Sequence, residues 1–226
     1  MGLVISAALG CSFALTLSAC MSINAAEQPA TDTPVVAANT VDFSTWLADF
    51  RREAGSKGIS AGTIDAAFAS VEAPLPRVLE LDKSQPEFVQ TFSGYMKSRM
   101  SDARVRRGRE LMAEHRELFD RIEAKYGVQP QYLTSFWALE SNFGDFTGGF
   151  SVINALATLA WDPRRSGFFR TELLTALQIL DAGHIDASAM TGSWAGAMGQ
   201  CQFMPSTFSN YAVDGDGDGR IDIWNS

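Results

Sequence analysis

Apolar side chains in this chain recur three and four positions apart, and no stretch alternates apolar with polar long enough to make a half-buried strand. That spacing predicts a mainly α fold. Asp42 suits an N-cap, and Phe43, Trp46, Leu47 and Phe50 follow at helical intervals. Gly55 and Gly58 stop that helix, and Ser60 caps another through Ile64, Ala67 and Phe68. The stretch APLPRVLELDKSQPEF is expected to be extended or turn-rich, with Pro74, Pro76 and Pro86 as breakers. Residues 88–126 are helical again with a break near Ser101 and Asp102. Pro130 opens a helix that Gly144 closes, and further helices fit 152–160 and 168–182. No internal repeat is visible.

Ahead of that helical text, residues 1–19 carry no charged side chain and are rich in Ala, Leu, Ile and Val, as a signal-peptide core is. They end in Leu17-Ser18-Ala19-Cys20, which is similar to a bacterial lipobox, where the cysteine is diacylated and becomes the new N-terminus. The alternative is an ordinary signal cleaved after Ala25. Both take the chain out of the cytoplasm. Residues 20–41, low in periodicity, read as a lipid-anchored tether, and 42–226 as the folded domain. With Cys11 removed and Cys20 acylated, Cys201 is the remaining thiol, and a buried, inert role is expected for it. A formal charge of -8 argues against nucleic acid as partner, and the arginines at 104, 106, 107 and 109 read as a solvated helix face.

Three segments carry chemistry. In FWALESNFGDFTGG, Leu133, Phe136, Trp137 and Glu140 share one helical stripe, which places a carboxylate among apolar side chains. Such a carboxyl loses hydration, which disfavours its charged form. The bland reading is a helix-end acid bonded to backbone amides. In GSWAGAMGQCQFMPSTF, Gly192, Gly196 and Gly199 allow close approach, Gln200 and Gln202 offer neutral polar groups, and Pro205-Ser206 opens a turn. That composition fits an uncharged polar ligand such as a sugar, or tight helix packing. In DGDGDGRID, Asp214, Asp216, Asp218, Gly219 and Asp222 follow the EF-hand loop pattern, with Arg220 offering its main-chain carbonyl. Asn225 stands where the loop's closing bidentate Glu belongs.

Glu140 with Ser141, the Gly/Gln segment and the Asp loop with DIWNS, in that order and spacing, resemble the membrane-bound lytic murein transglycosylase B family, glycoside hydrolase family 103. The resemblance covers about residues 43–226 and implies a lysozyme-like α-helical core with an EF-hand-type loop holding structural Ca²⁺. It implies Glu140 as the single catalytic acid. It implies saccharide contacts from Tyr95, Ser141, Arg164, Arg165, Ser193 and Gln202, and metal ligation by Asp214, Asp216, Asp218, Arg220 and Asp222. It implies peptidoglycan strands as substrate, a monomer, and a periplasmic place on the outer membrane through Cys20. Cys201 departs from the family pattern as a tolerated change. The family's domain continues past DIWNS, so this chain is expected to be C-terminally truncated.

The reaction so implied needs one carboxylate. Glu140 donates a proton to the oxygen between N-acetylmuramic acid and N-acetylglucosamine, then as base takes the proton of the muramic C6 hydroxyl, which closes a 1,6-anhydro ring. An ordinary glycosidase needs a second acid. A calcium-binding module, a non-catalytic peptidoglycan-binding lipoprotein and a hydrolytic muramidase are the alternatives.

Overall fold

The computed structural model describes residues 41–84 and 91–226, all within one unit spanning Val36–Ser226. The leader, Cys20, the tether up to residue 40, Pro86 and Phe88 lie outside the described residues. Helices dominate. α1 (Phe43–Ser56) begins where the Asp42 carboxylate accepts from Thr45 N at 3.0 Å. α2 (Ala61–Phe68) begins at Ser60, whose Oγ accepts from Thr63 N at 3.2 Å. Asp181 reaches the same turn and accepts from the hydroxyls of Ser60 and Thr63 at 2.6 and 2.7 Å, which binds α2 to the last residue of a helix spanning Ser166–Asp181.

In the described part of the proline-rich stretch, residues 73–75 are irregular, as expected, but 76–84 are helical rather than extended. Pro76 is the first residue of α3 (Pro76–Ser84), where its missing N–H and fixed φ do no harm. The Thr158 hydroxyl accepts from Leu75 N at 2.9 Å and fixes where that helix starts. Next come α4 (Phe92–Arg99), α5 (Asp102–Glu114), α6 (Arg116–Tyr126) and α7 (Pro130–Ser141). The expected break stands at Met100 and Ser101, and a second one, unforeseen, falls at His115.

Helices α8 (Val152–Trp161) and α9 (Ser166–Asp181) form the centre, with α8 buried from Val152 through Ala160 except at Asn154. Phe50, Leu156, Phe169, Leu173, Leu177 and Met198 fill the core between α1, α2, α3 and this pair. Two strands of two residues each, β1 (Phe150–Ser151) and β2 (Thr191–Gly192), pair antiparallel. They are too short to leave an alternation in the sequence. Pro205 opens α10 (Pro205–Tyr211) rather than a turn, and the buried Glu172 of α9 accepts from Ser206 N and Oγ at 2.9 and 2.6 Å, capping it.

Candidate active site

The apolar stripe of α7 does not face the core. Its buried residues are Thr134, Ala138 and Ser141, one position round from the expected set, and they pack towards α5, where Gly108 lets Thr134 and Phe143 approach. Phe136 is 63% exposed, and with Leu133, Trp137 and Glu140 it lines a cleft of about 800 Å³. The opposite walls come from α6, through Leu118, Phe119 and Ile122, and from Gln200, Cys201, Phe203 and Ile223. Periodicity identifies an apolar face, but a core and an aromatic cleft leave the same signature. Glu140 is exposed at this cleft, and its carboxylate has no hydrogen bond or ion pair among the described residues. The amide-bonded helix-end acid is therefore not what the chain builds, and the desolvation expected around Glu140 is not built into the open cleft either.

Beyond Glu140 the backbone turns sharply. Asn142, Phe143 and Gly144 all adopt positive φ, at 52°, 63° and 89°. For a bulky residue such as Phe143 this conformation costs about 1–3 kcal/mol and persists only where the surroundings hold it. Here they do. The Ser141 Oγ accepts from Gly144 N at 2.9 Å, Arg104 Nε donates to Asn142 Oδ1 at 3.2 Å, and the Phe143 ring meets Trp137 edge-on at 5.6 Å. Ser141, expected at the sugar, is 2% exposed and holds this turn instead. Arg104 likewise leaves the solvated face assigned to it.

None of the other expected saccharide residues lines the Glu140 cleft. Ser193 Oγ accepts from Ala195 N and Ala197 N at 3.3 and 3.0 Å, bracing its own loop. Gln202, at φ 49°, donates through Nε2 to the carbonyls of Thr147 and Gly199, both at 2.9 Å, and so joins the loop after α7 to the Gly/Gln segment. Arg164 and Arg165 both donate to the buried carboxylate of Asp82, and Arg164 also reaches the Asp82 carbonyl at 2.6 Å. Tyr95 lies on α4, under the Arg99 guanidinium at 5.4 Å, and does not line the Glu140 cleft. Sequence reasoning passed over Asp82, whose clue was an acid on the apolar side of α3, and His115, which also lines the cleft and left no clue. Cys201 is half-buried on the cleft wall rather than in the core. Burial pushes its thiol up, the amides of Cys201 and Phe203 oppose this, and the Glu140 carboxylate adds to the rise.

Oxygens of Asp214, Asp216 and Asp218 lie within 4.8 Å of one another. Amides hold the loop in shape: Gly219 N and Gly217 N donate to Asp214 at 2.9 and 2.7 Å, and these two bonds keep its carboxyl below the usual range. An all-oxygen, acidic donor set of this kind fits a hard divalent cation. Asp222 is not part of the group. Its carboxylate accepts from Trp224 N and Asn225 N at 2.8 and 2.9 Å and from the Asn225 side chain, capping the following turn. Burial works to raise Asp222, and the amides of Asn225 and Trp224 outweigh it, so its carboxyl also sits low.

A sequence profile of the transglycosylase SLT domain matches residues 42–226. The membrane-bound lytic murein transglycosylase B of Escherichia coli K12 is 36% identical over 132 residues, 58% of this chain and 37% of that protein. The crystal structure of SltB3 from Pseudomonas aeruginosa in complex with NAG-NAM-pentapeptide matches with TM-score 0.79 at 46% identity, over 82% of this chain and 49% of that one. The E. coli lytic transglycosylase Slt35 in complex with calcium matches with TM-score 0.70 at 30% identity, over 79% and 57%. The chain thus spans little more than a third of the curated relative and about half of these solved structures.

Proposed function

This chain belongs to the transglycosylase SLT-domain family, and from that premise we propose that it is a peptidoglycan lytic transglycosylase that cleaves the MurNAc-β-1,4-GlcNAc bond and leaves 1,6-anhydro ends. The observation that carries this reading is Glu140, a carboxyl with no partner among the described residues at an aromatic-lined cleft. Sugar rings stack on Phe136 and Trp137 and displace water from the acid, the condition under which a carboxylic acid donates its proton to a leaving oxygen. The anomeric carbon then loses its bond to that oxygen. Glu140, now a carboxylate, accepts the proton of the C6 hydroxyl as that oxygen bonds to the same carbon, so the proton count closes without water. The complex of SltB3 with a NAG-NAM-pentapeptide supports this substrate class.

A second carboxylate, Asp222, also lines the cleft, yet it already accepts from two main-chain amides and the Asn225 side chain. It is poorly placed to serve as a nucleophile or as the base for a water, which favours the internal hydroxyl over hydrolysis. Asp214, Asp216 and Asp218, with the Arg220 carbonyl, form an EF-hand-type site for a structural Ca²⁺, which when bound neutralises the crowded charge. The calcium complex of Slt35 supports this ion. Ser193, Gln202, Arg164 and Arg165 serve the site by shaping the loops and helices around it. Diacylation of Cys20 places the protein on the periplasmic face of the outer membrane, and palmitate label lost in Cys20→Ser is the check.

Digestion of purified peptidoglycan followed by mass spectrometry of the fragments tests the reaction. Anhydromuramic ends are the expected product. Reducing ends would indicate a hydrolytic muramidase, and intact strands a binding protein.

A further inference from the structure

Gln200 stands at a junction that neither the acid nor the acidic loop accounts for. Its Oε1 accepts from the Trp137 indole Nε1 at 2.8 Å, its Nε2 donates to the Trp224 carbonyl at 3.0 Å, and its main-chain N–H donates to the Ile223 carbonyl at 2.8 Å. Trp137 lies three residues before Glu140 on the same face of α7, while Ile223 and Trp224 directly follow the acidic loop. Both ends of the amide are used in one orientation: a flipped Gln200 would set an N–H against the indole N–H and an oxygen against a carbonyl. Room for the side chain comes from Gly144, where a Cβ would meet Gln200 Oε1 at 2.6 Å.

We propose that Gln200 is a positioning residue that couples cation occupancy of the acidic loop to the placement of Glu140, acting through Trp137; the inference rests on the function proposed above. A cation drawing Asp214, Asp216 and Asp218 together steadies the segment that follows them. That segment supplies the Ile223 and Trp224 carbonyls to which Gln200 is tied. Gln200 in turn orients the indole one turn before the acid. Without the cation, three like charges repel, the segment loosens and the strut loses its anchor. Displacement of a reacting group by about 1 Å costs on the order of a hundredfold in rate, so the coupling acts on turnover more than on binding.

The test is a Ca²⁺ titration of the ¹⁵N-labelled whole chain, reading the Trp137 indole N–H resonance, which is assigned by its loss in Trp137→Phe. In the wild type that resonance moves in step with the binding isotherm measured by calorimetry. In Gln200→Met the cation still binds and the Trp137 resonance no longer responds. Gln200→Glu keeps an acceptor for the indole but sets an oxygen against the Trp224 carbonyl, and it uncouples in the same way. Both variants lower kcat by about tenfold or more, a larger factor than any rise in KM from the loosened Trp137, so the loss falls mainly on the transition-state arrangement. If Gln200→Met does not fold, Gln200→Glu decides alone. An unchanged Ca²⁺ response in the variants, a wild-type indole indifferent to bound cation, or no binding of cation at all would each overturn the coupling. The resonance is read without substrate, so an inactive protein with a responsive Trp137 refutes the proposed activity and leaves the coupling standing.

Discussion

The part of the chain built on α8 and α9 and the part built on α4 to α7 are held by different forces. Around α8 and α9 the interior is continuous, from Phe43 and Phe50 through Leu156 and Leu177 to Phe208. Between α4 and α7 the buried hydrophobic side chains are Leu111, Phe119 and Ala138, and α4 buries none. What holds α7 there is largely polar: Trp137 to Gln200, Asn142 to Arg104, and Gln202 to the carbonyl of Thr147. Apolar burial is strong but indifferent to direction, whereas a hydrogen bond is worth only about 0.5–1.5 kcal/mol net and fixes an angle. The first half supplies stability. The second aims a carboxylate and leaves large aromatic faces free for a ligand.

That contrast can be broken by substitution. Leu177→Ala empties a fully buried site and should cost about 2–5 kcal/mol, read by denaturant unfolding, while cleavage per folded molecule is kept. Asp82→Ala comes next. Removing one partner of a buried ion pair costs up to about 3–5 kcal/mol, but Arg164 and Arg165 are 41% and 43% exposed and can rehydrate, so about 1–3 kcal/mol is expected. A smaller effect follows pH. The Ser60 and Thr63 hydroxyls hold the Asp181 carboxyl below its ordinary value of 3.8. A depressed carboxylate adds stability above its unfolded pKa and loses it as pH falls through the folded value. Melting temperature should therefore be flat from neutral to about pH 5 and decline below about pH 4, with a shallower acid slope in Asp181→Asn. Smallest of all is the stability change in Phe136→Ala, within about 0.5 kcal/mol for an exposed side chain. Glycan binding by the same variant should weaken, and an unfolding cost as large as that of Leu177→Ala would erase the distinction between the halves.

The same division explains what the sequence could show. Caps at Asp42 and Ser60, and the helical stripes of α1, α2, α8 and α9, were legible because local periodicity and capping chemistry determine them. Pro76 misled because a proline breaks a helix interior and starts a helix equally well. Ser141, Ser193, Gln202 and the arginines at 164 and 165 are expected at the saccharide, yet their bonds run to a turn, a loop and a buried Asp82. No spacing rule distinguishes a side chain that meets a sugar from one that holds the residue meeting it. The partner-free state of Glu140 was likewise invisible, since it depends on where α6 and the segment after residue 199 come to lie.

One experiment bears most directly on Glu140 acting alone. Turnover of purified peptidoglycan is measured for the wild type, Glu140→Gln and Asp222→Asn, with glycan binding and melting temperature recorded for each. Gln is isosteric with Glu but has no acidic proton to give. Glu140→Gln is expected to bind glycan, melt close to the wild type and release no anhydromuramic product, while Asp222→Asn still releases it. Turnover retained by Glu140→Gln, or product lost only in Asp222→Asn, would contradict a role for Glu140 acting alone.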